Sequence, residues 1–313
     1  MGFTVRDKYI WQQFMDEKHS GLGNLIPGLP HFVYPGTAAT HLSFIRDRHK
    51  RAYATVAAAL ADCVDGRGDA IVLMPGTHTV SSASLAMSKA GVSIYGPEAW
   101  MERNMPHMRS SAVLTTDIAA DQIMNVTAAD CAIVGVTVTP ITAAAGIDVS
   151  AAANRFTMKD CFIDMATPAV NVATVGLSVL GAASNVLIDG CAFESDGAQG
   201  NAIVATALVN SLIRGCLLYN TAGTWASAVL CGAATTGLWF RGNLFDCYGT
   251  ALTVGINGTG ATIANGVKCE GNRFGSLVTV GIDNFDAGEC AISENYDFGV
   301  GAADGGVLIT AIT

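Results

Sequence analysis

The chain has 313 residues, half of them apolar and 14% charged, with 35 glycines and a formal net charge of −9. Such an apolar content supplies a sizeable core and excludes a disordered chain. The acidic balance and the lack of a basic cluster exclude nucleic acid as a partner, and no apolar run long enough for a membrane helix occurs.

The opening "MGFTVRDKYIWQQFMDEKHSG" lacks the charged, apolar, small-residue succession of a secretory signal, which predicts a protein assembled in a cytoplasm. Residues 1–50 read as an N-terminal arm. Asp7 caps a helix that carries Ile10, Trp11, Phe14 and Met15 on one side, and the Gly- and Pro-rich stretch after Gly21 runs extended. Trp11, Phe14, Phe32 and Tyr34 are the arm's candidate docking residues, because exposed aromatic side chains call for a covering surface. All six histidines, His19, His31, His41, His49, His78 and His107, precede residue 108 at no helical ligand spacing, and they read as surface or loop groups.

Residues 51–313 read as the body. In "RAYATVAAALADCVD" (51–65) one helical face carries Tyr53, Val56, Ala57, Leu60, Cys63 and Val64, and Gly66 follows as a stop, which predicts a capping helix. The adjoining Arg67-Gly68-Asp69 reads as a turn. "DAIVLMPGTHTV" then gives an apolar strand and a Pro-Gly turn, and helical periodicity hardly returns. The nine cysteines form no CxxC or CxxH pair, so they read as small buried hydrophobes, and neither a metal nor a cofactor is expected.

What returns is a repeat. "CAIVGVTV" (131–138), "FTMKDCFI" (156–163), "VLIDGCAF" (186–193), "SLIRGCLL" (211–218), "GLWFRGNLF" (237–245), "GVKCEGNRF" (266–274) and "CAISENYDF" (290–298) each give a short strand, a corner and a second strand. The corners Gly135, Asp160, Gly190, Gly215, Gly242, Gly271 and Glu294 recur at the interval of a β-solenoid coil. Just past the corner, Val136, Cys161, Cys191 and Cys216 give way to Asn243, Asn272 and Asn295, a column suited to a side-chain ladder. Two positions on, Val138, Ile163, Phe193, Leu218, Phe245 and Phe274 form an inward column, and the last repeat slips to Asp297 and Phe298. Lys159, Asp189, Arg214, Arg241 and Glu270, of mixed sign, form a solvated column.

With these columns and "YATVAAALADCVDGRGDAIVLMPGTHTV...AGVSIYGP" (53–97), the chain resembles the right-handed parallel β-helices of the pectate-lyase-like superfamily, and more closely the openings of β-helical virion proteins of tailed bacteriophages. The resemblance implies a single-stranded, all-β right-handed solenoid with a capping helix, located in the virion. It also implies association in threes, with apolar lateral or C-terminal surfaces buried between chains. Nothing in the closing "DGGVLITAIT" is polar enough to cap the far end.

Chemistry on this fold needs clustered carboxylates. Glu194 and Asp196, with Asp164 or Asp246 from adjacent coils, form the best cluster, but no aromatic-lined groove accompanies them, since Trp225 and Trp239 stand alone. The favoured expectation is therefore a non-enzymatic virion protein, a capsid cement or decoration protein docked on the major capsid protein through its arm. The alternatives are a tail fibre or tailspike component binding host glycans, and a polysaccharide lyase or hydrolase.

Overall fold

The computed structural model describes residues 28–36, 51–96, 109–298 and 307–309, without 82, 118–121, 141–144, 167–174, 180, 197–199, 223–224, 233, 248–251, 259–265, 284 and 286–289. Trp11 and Phe14 lie outside the described residues. Within them the fold is all-β, a parallel β-helix of three faces with 11, 10 and 8 strands.

Each coil sets one short strand on each face, and the next coil supplies its hydrogen-bond partner, which is why no helix intervenes between successive strands. Between the first and second faces the chain turns at Gly135, Asp160, Gly190, Gly215, Gly242, Gly271 and Glu294, all at positive φ. Glycine enters that region without steric cost, and it stands at five of the seven corners. Register then fixes every column. On the first face Ile94, Ile133, Met158, Ile188, Ile213, Phe240 and Cys269 stack coil on coil. On the second face Val138, Ile163, Phe193, Leu218, Phe245 and Phe274 do the same, all fully buried. The rings of Phe245 and Phe274 stack at 4.8 Å between centroids. Burial of each large apolar side chain in these columns contributes about 1.5–3 kcal/mol.

The capping helix is shorter than residues 51–65. It spans Val56–Asp62, with Thr55 as N-cap accepting from Ala58 N–H at 3.2 Å, because Ala52–Tyr53 is drawn into a strand of the first face. Lys89, from the next coil, donates to the carbonyls of Leu60, Ala61 and Cys63 and so closes the helix C-terminus. Val56, Ala59 and Leu60 are buried over the end of the core.

Two further expectations are corrected. Pro30–Val33 is a strand of the first face, paired with Ala52–Tyr53 on one side and Ala70–Leu73 on the other. Phe32 and Tyr34 are buried in a small cluster with Ala52, Val72 and Met74, so they pack on this chain's own body and do not form a free docking arm. At the other end, Val307–Ile309 pairs antiparallel with Asn295–Asp297, covering the last strand edge of the second face with backbone pairing in place of polar side chains.

Candidate functional site

The strand Phe162–Asp164 points Ile163 into the core, so the pleat sends Phe162 and Asp164 outward. Register carries that outer position from Asp164 to Glu194, Tyr219 and Asp246 on successive coils. Parallel pairing spaces these positions by about 4.8 Å, close enough for neighbouring side chains to share one partner.

Arg109 is that partner. It enters from the segment before the strand Ala112–Thr116, and its Nη1 lies 3.1 Å from Asp164 Oδ2 while Nη2 donates to Glu194 Oε2 at 2.9 Å. The same guanidinium sits over the Phe162 ring, 5.1 Å from its centroid. Beneath it the Asp164 side chain is only 4% exposed, against 15% for Glu194. Burial opposes the Arg109 charge, but the Glu194 and Asp164 carboxylates outweigh it and hold the Arg109 pKa above its ordinary value. Burial and the hydrogen bond to Glu194 push the Tyr219 pKa well up, so its phenol stays protonated and donates to that carboxylate. The arrangement is two carboxyl groups of neighbouring coils bridged by one guanidinium and flanked by a phenol.

Of the carboxylates singled out in the sequence, the structure unites Asp164 and Glu194. Asp246 stands one coil beyond Tyr219, and Asp196 lies exposed past the end of its strand. Sequence reasoning missed Arg109 and Tyr219, because Arg109 precedes the recognisable repeats and Tyr219 falls one residue past the aligned segment 211–218. Trp225 is buried, and Trp239 lies under Lys268 and Arg241, 4.5 and 5.1 Å from its ring centroid.

The structural ladder runs along the corners. Cys161, Cys191 and Cys216 place their thiols between the carbonyls of Lys159, Asp189 and Arg214, at 3.3, 3.5 and 3.3 Å, and those of Ile133, Met158 and Ile188 one coil back, at 3.5, 3.5 and 3.8 Å. Asn243, Asn272 and Asn295 donate from Nδ2 to the carbonyls of Ile213, Phe240 and Cys269, at 3.0, 3.1 and 2.8 Å. Thiols and amides alike reach the residue of the first-face inward column one coil back. Thiol and amide thus serve one geometric purpose, the amide with the better hydrogen bond. The outer charged column Lys159, Asp189, Arg214, Arg241 and Glu270 stacks in register, with Arg214 Nη2 donating to Asp189 Oδ2 at 2.8 Å.

Two histidines read as surface groups are buried instead, because the strands that carry them turn those side chains inside. His31 is 0% exposed, and His78, 4% exposed, pairs its Nε2 with the Met74 carbonyl at 2.8 Å. Asp69 of the Arg-Gly-Asp turn is also fully buried.

No family model matches the chain, and no curated protein matches it by sequence. Solved structures do match. The pectin methylesterase from Aspergillus niger, in deglycosylated form, superposes with a TM-score of 0.55 at 11% identity, over 90% of this chain and 91% of that one. The pectin methylesterase from Yersinia enterocolitica gives 0.53 at 9% identity, over 82% and 94%. Pectin methylesterase PemA from Erwinia chrysanthemi gives 0.50 at 11%, over 87% and 90%. At these identities the likeness shows the fold, a right-handed parallel β-helix. The expectation of a non-enzymatic chain is corrected by these neighbours, whose shared fold is one that carbohydrate esterases use. That expectation rested on the absence of a convincing carboxylate site; Arg109 bridges Asp164 and Glu194 of neighbouring coils.

Proposed function

We propose that this chain hydrolyses a polysaccharide, with Asp164, Glu194 and Arg109 as its reaction centre and an ester of the glycan as the bond it cleaves. The observation that carries this reading is the Arg109 guanidinium spanning two carboxylates of neighbouring coils. Support comes from the fold shared with pectin methylesterases, enzymes named for removing methyl esters from pectin.

Glu194, the more open carboxylate, takes the proton of a water that adds to the ester carbonyl. The Arg109 side chain is 55% exposed, and its positive charge beside Glu194 stabilises the oxygen on which negative charge develops. Asp164, buried beneath the guanidinium, keeps Arg109 in place, and the Tyr219 phenol steers Glu194. Collapse of the intermediate returns the proton from Glu194 to the departing alkoxide, so the products are a free acid and an alcohol. The likeness of residues 53–97 to phage β-helices supports a virion setting, in which the glycan belongs to the host surface. Exposed Leu244, Tyr296 and Phe298 of the second face are the apolar surface that lateral association in threes would bury.

The test is a panel of esterified and de-esterified polysaccharides, with release of alcohol or acyl acid and of reducing ends measured separately. Ester products lost in Arg109→Ala support the reading. Reducing ends alone would move the reaction to the glycosidic bond, and no product from any polymer would contradict it.

A further inference from the structure

At the capped end of the solenoid three side chains from separate segments converge: His31 from the strand Pro30–Val33, Cys63 from the C-cap of the helix, and Asp69 from the turn before the strand Ala70–Leu73. A nitrogen, a sulfur and a carboxylate oxygen lie within 4.8 Å of one another, and all three residues are buried. Among the described residues this is the one such group of three.

The protons around His31 follow from its neighbours. Tyr53 donates its hydroxyl hydrogen to Asp62 Oδ2, so its oxygen accepts from His31 Nδ1, 3.2 Å away. That places the imidazole proton on Nδ1 and leaves a bare lone pair on Nε2. Nε2 is buried without a hydrogen-bond partner and stands 3.6 Å from Asp69 Oδ2, one acceptor facing another. The Asp69 carboxylate is already paired with Arg67, so the unmet group here is the buried Nε2 lone pair, which faces a carboxylate oxygen and a thiol as a metal ligand would.

We propose that His31, Cys63 and Asp69 bind a thiophilic divalent cation, Zn²⁺ in the first instance, which staples the N-terminal strand to the cap of the β-helix. The donor set suits zinc, whose tetrahedral bonds of about 2.0–2.3 Å put ligand atoms about 3.4–3.8 Å apart. His31 Nε2 and Asp69 Oδ2 already stand at that spacing. The Tyr53–Asp62 relay is the outer hydrogen bond that orients a ligating histidine. Arg67 donates to Asp69 Oδ1 and Oδ2 at 2.6 Å each, and the Leu29 and Val64 N–H groups donate to the same two oxygens at 2.8 Å each, so the carboxylate is held in place. On binding, the Cys63 thiol, which donates to Ala59 O at 3.3 Å, loses its proton to water and forms the S–metal bond.

The experiment strips the full chain with a chelator and titrates it with Co²⁺ and then Zn²⁺, following absorption and thermal melting. The expected result is one equivalent of Co²⁺ with a thiolate-to-cobalt charge-transfer band, displaced by Zn²⁺, and a higher melting temperature. Cys63→Ser and His31→Gln each abolish the band, and Tyr53→Phe weakens binding about 10–100-fold. Folded wild-type protein that takes up no cobalt overturns the site, as does a band that survives Cys63→Ser. Neither readout depends on glycan hydrolysis.

Discussion

Asn243 Nδ2 donates to Asn272 Oδ1 across 3.0 Å, one coil of the β-helix to the next. The same oxygen accepts from the Asn243 backbone N–H at 3.0 Å, while Asn272 Nδ2 reaches back to Phe240 O and forward to Asn295 Oδ1. All of these groups are buried, so each depends on its neighbours and none on water.

Asn272→Leu therefore strands the Asn243 N–H and removes the side-chain donor to the Phe240 carbonyl. Each unpaired buried group costs about 1–3 kcal/mol, and the loss in chemical denaturation is expected toward the upper end of that range or beyond it. Asn272→Cys, which restores a weak donor to Phe240 O, loses less than the leucine variant. Equal losses from the two would contradict the shared role of thiol and amide along this column.

The Arg214–Asp189 pair lies on the solvated column, with the arginine side chain 46% exposed. Arg214→Ala is expected to cost at most about 1 kcal/mol, and less at high salt. A larger loss would mean that this column faces something other than solvent.

At the Gly242 corner φ is +60°, and nothing lies within 4 Å of where a Cβ would stand. Gly242→Ala then carries the backbone cost alone, about 1–2 kcal/mol. Gly242→Asn is milder because asparagine tolerates this conformation better. Denaturant midpoints of the two variants measure the difference.

His78 adds a pH dependence. Burial lowers its pKa below 6.5 and outweighs the opposing pull of the Met74 carbonyl. The folded state thus holds His78 neutral where the unfolded chain binds a proton, and its contribution to stability is full above pH 6.5. It declines as pH falls from 6.5 toward the lowered value. His78→Gln should flatten the acid limb of stability against pH, and an unchanged limb would contradict the assignment.

Much of the fold was legible in the sequence because a solenoid writes its register as a period. The corner residues and the column from Val138 to Phe274 pair in the structure as aligned in the sequence, and the slip at Asp297 falls opposite Phe274. Pro30–Val33 was not legible as a strand of the body, since it lies outside the repeat and pairs with residues 20 to 40 positions away. Half of the site was legible for the same reason. Asp164 and Glu194 sit at equivalent positions of adjacent coils, whereas Arg109 comes from a segment with no periodic partner, and only the three-dimensional path brings its guanidinium over both. The burial of His31 and His78 depends on which side of a short strand faces inward, and isolated strands of four or five residues leave that undetermined in the sequence.

The most direct test of the account compares the wild-type chain with Glu194→Gln on an esterified polysaccharide, measuring alcohol or acyl acid released per unit time while circular dichroism confirms that both are folded. The account predicts measurable ester hydrolysis by the wild type and a loss of about 10²–10⁴-fold in the variant. Hydrolysis that Glu194→Gln leaves unchanged would contradict the assignment of the reaction to this face of the β-helix.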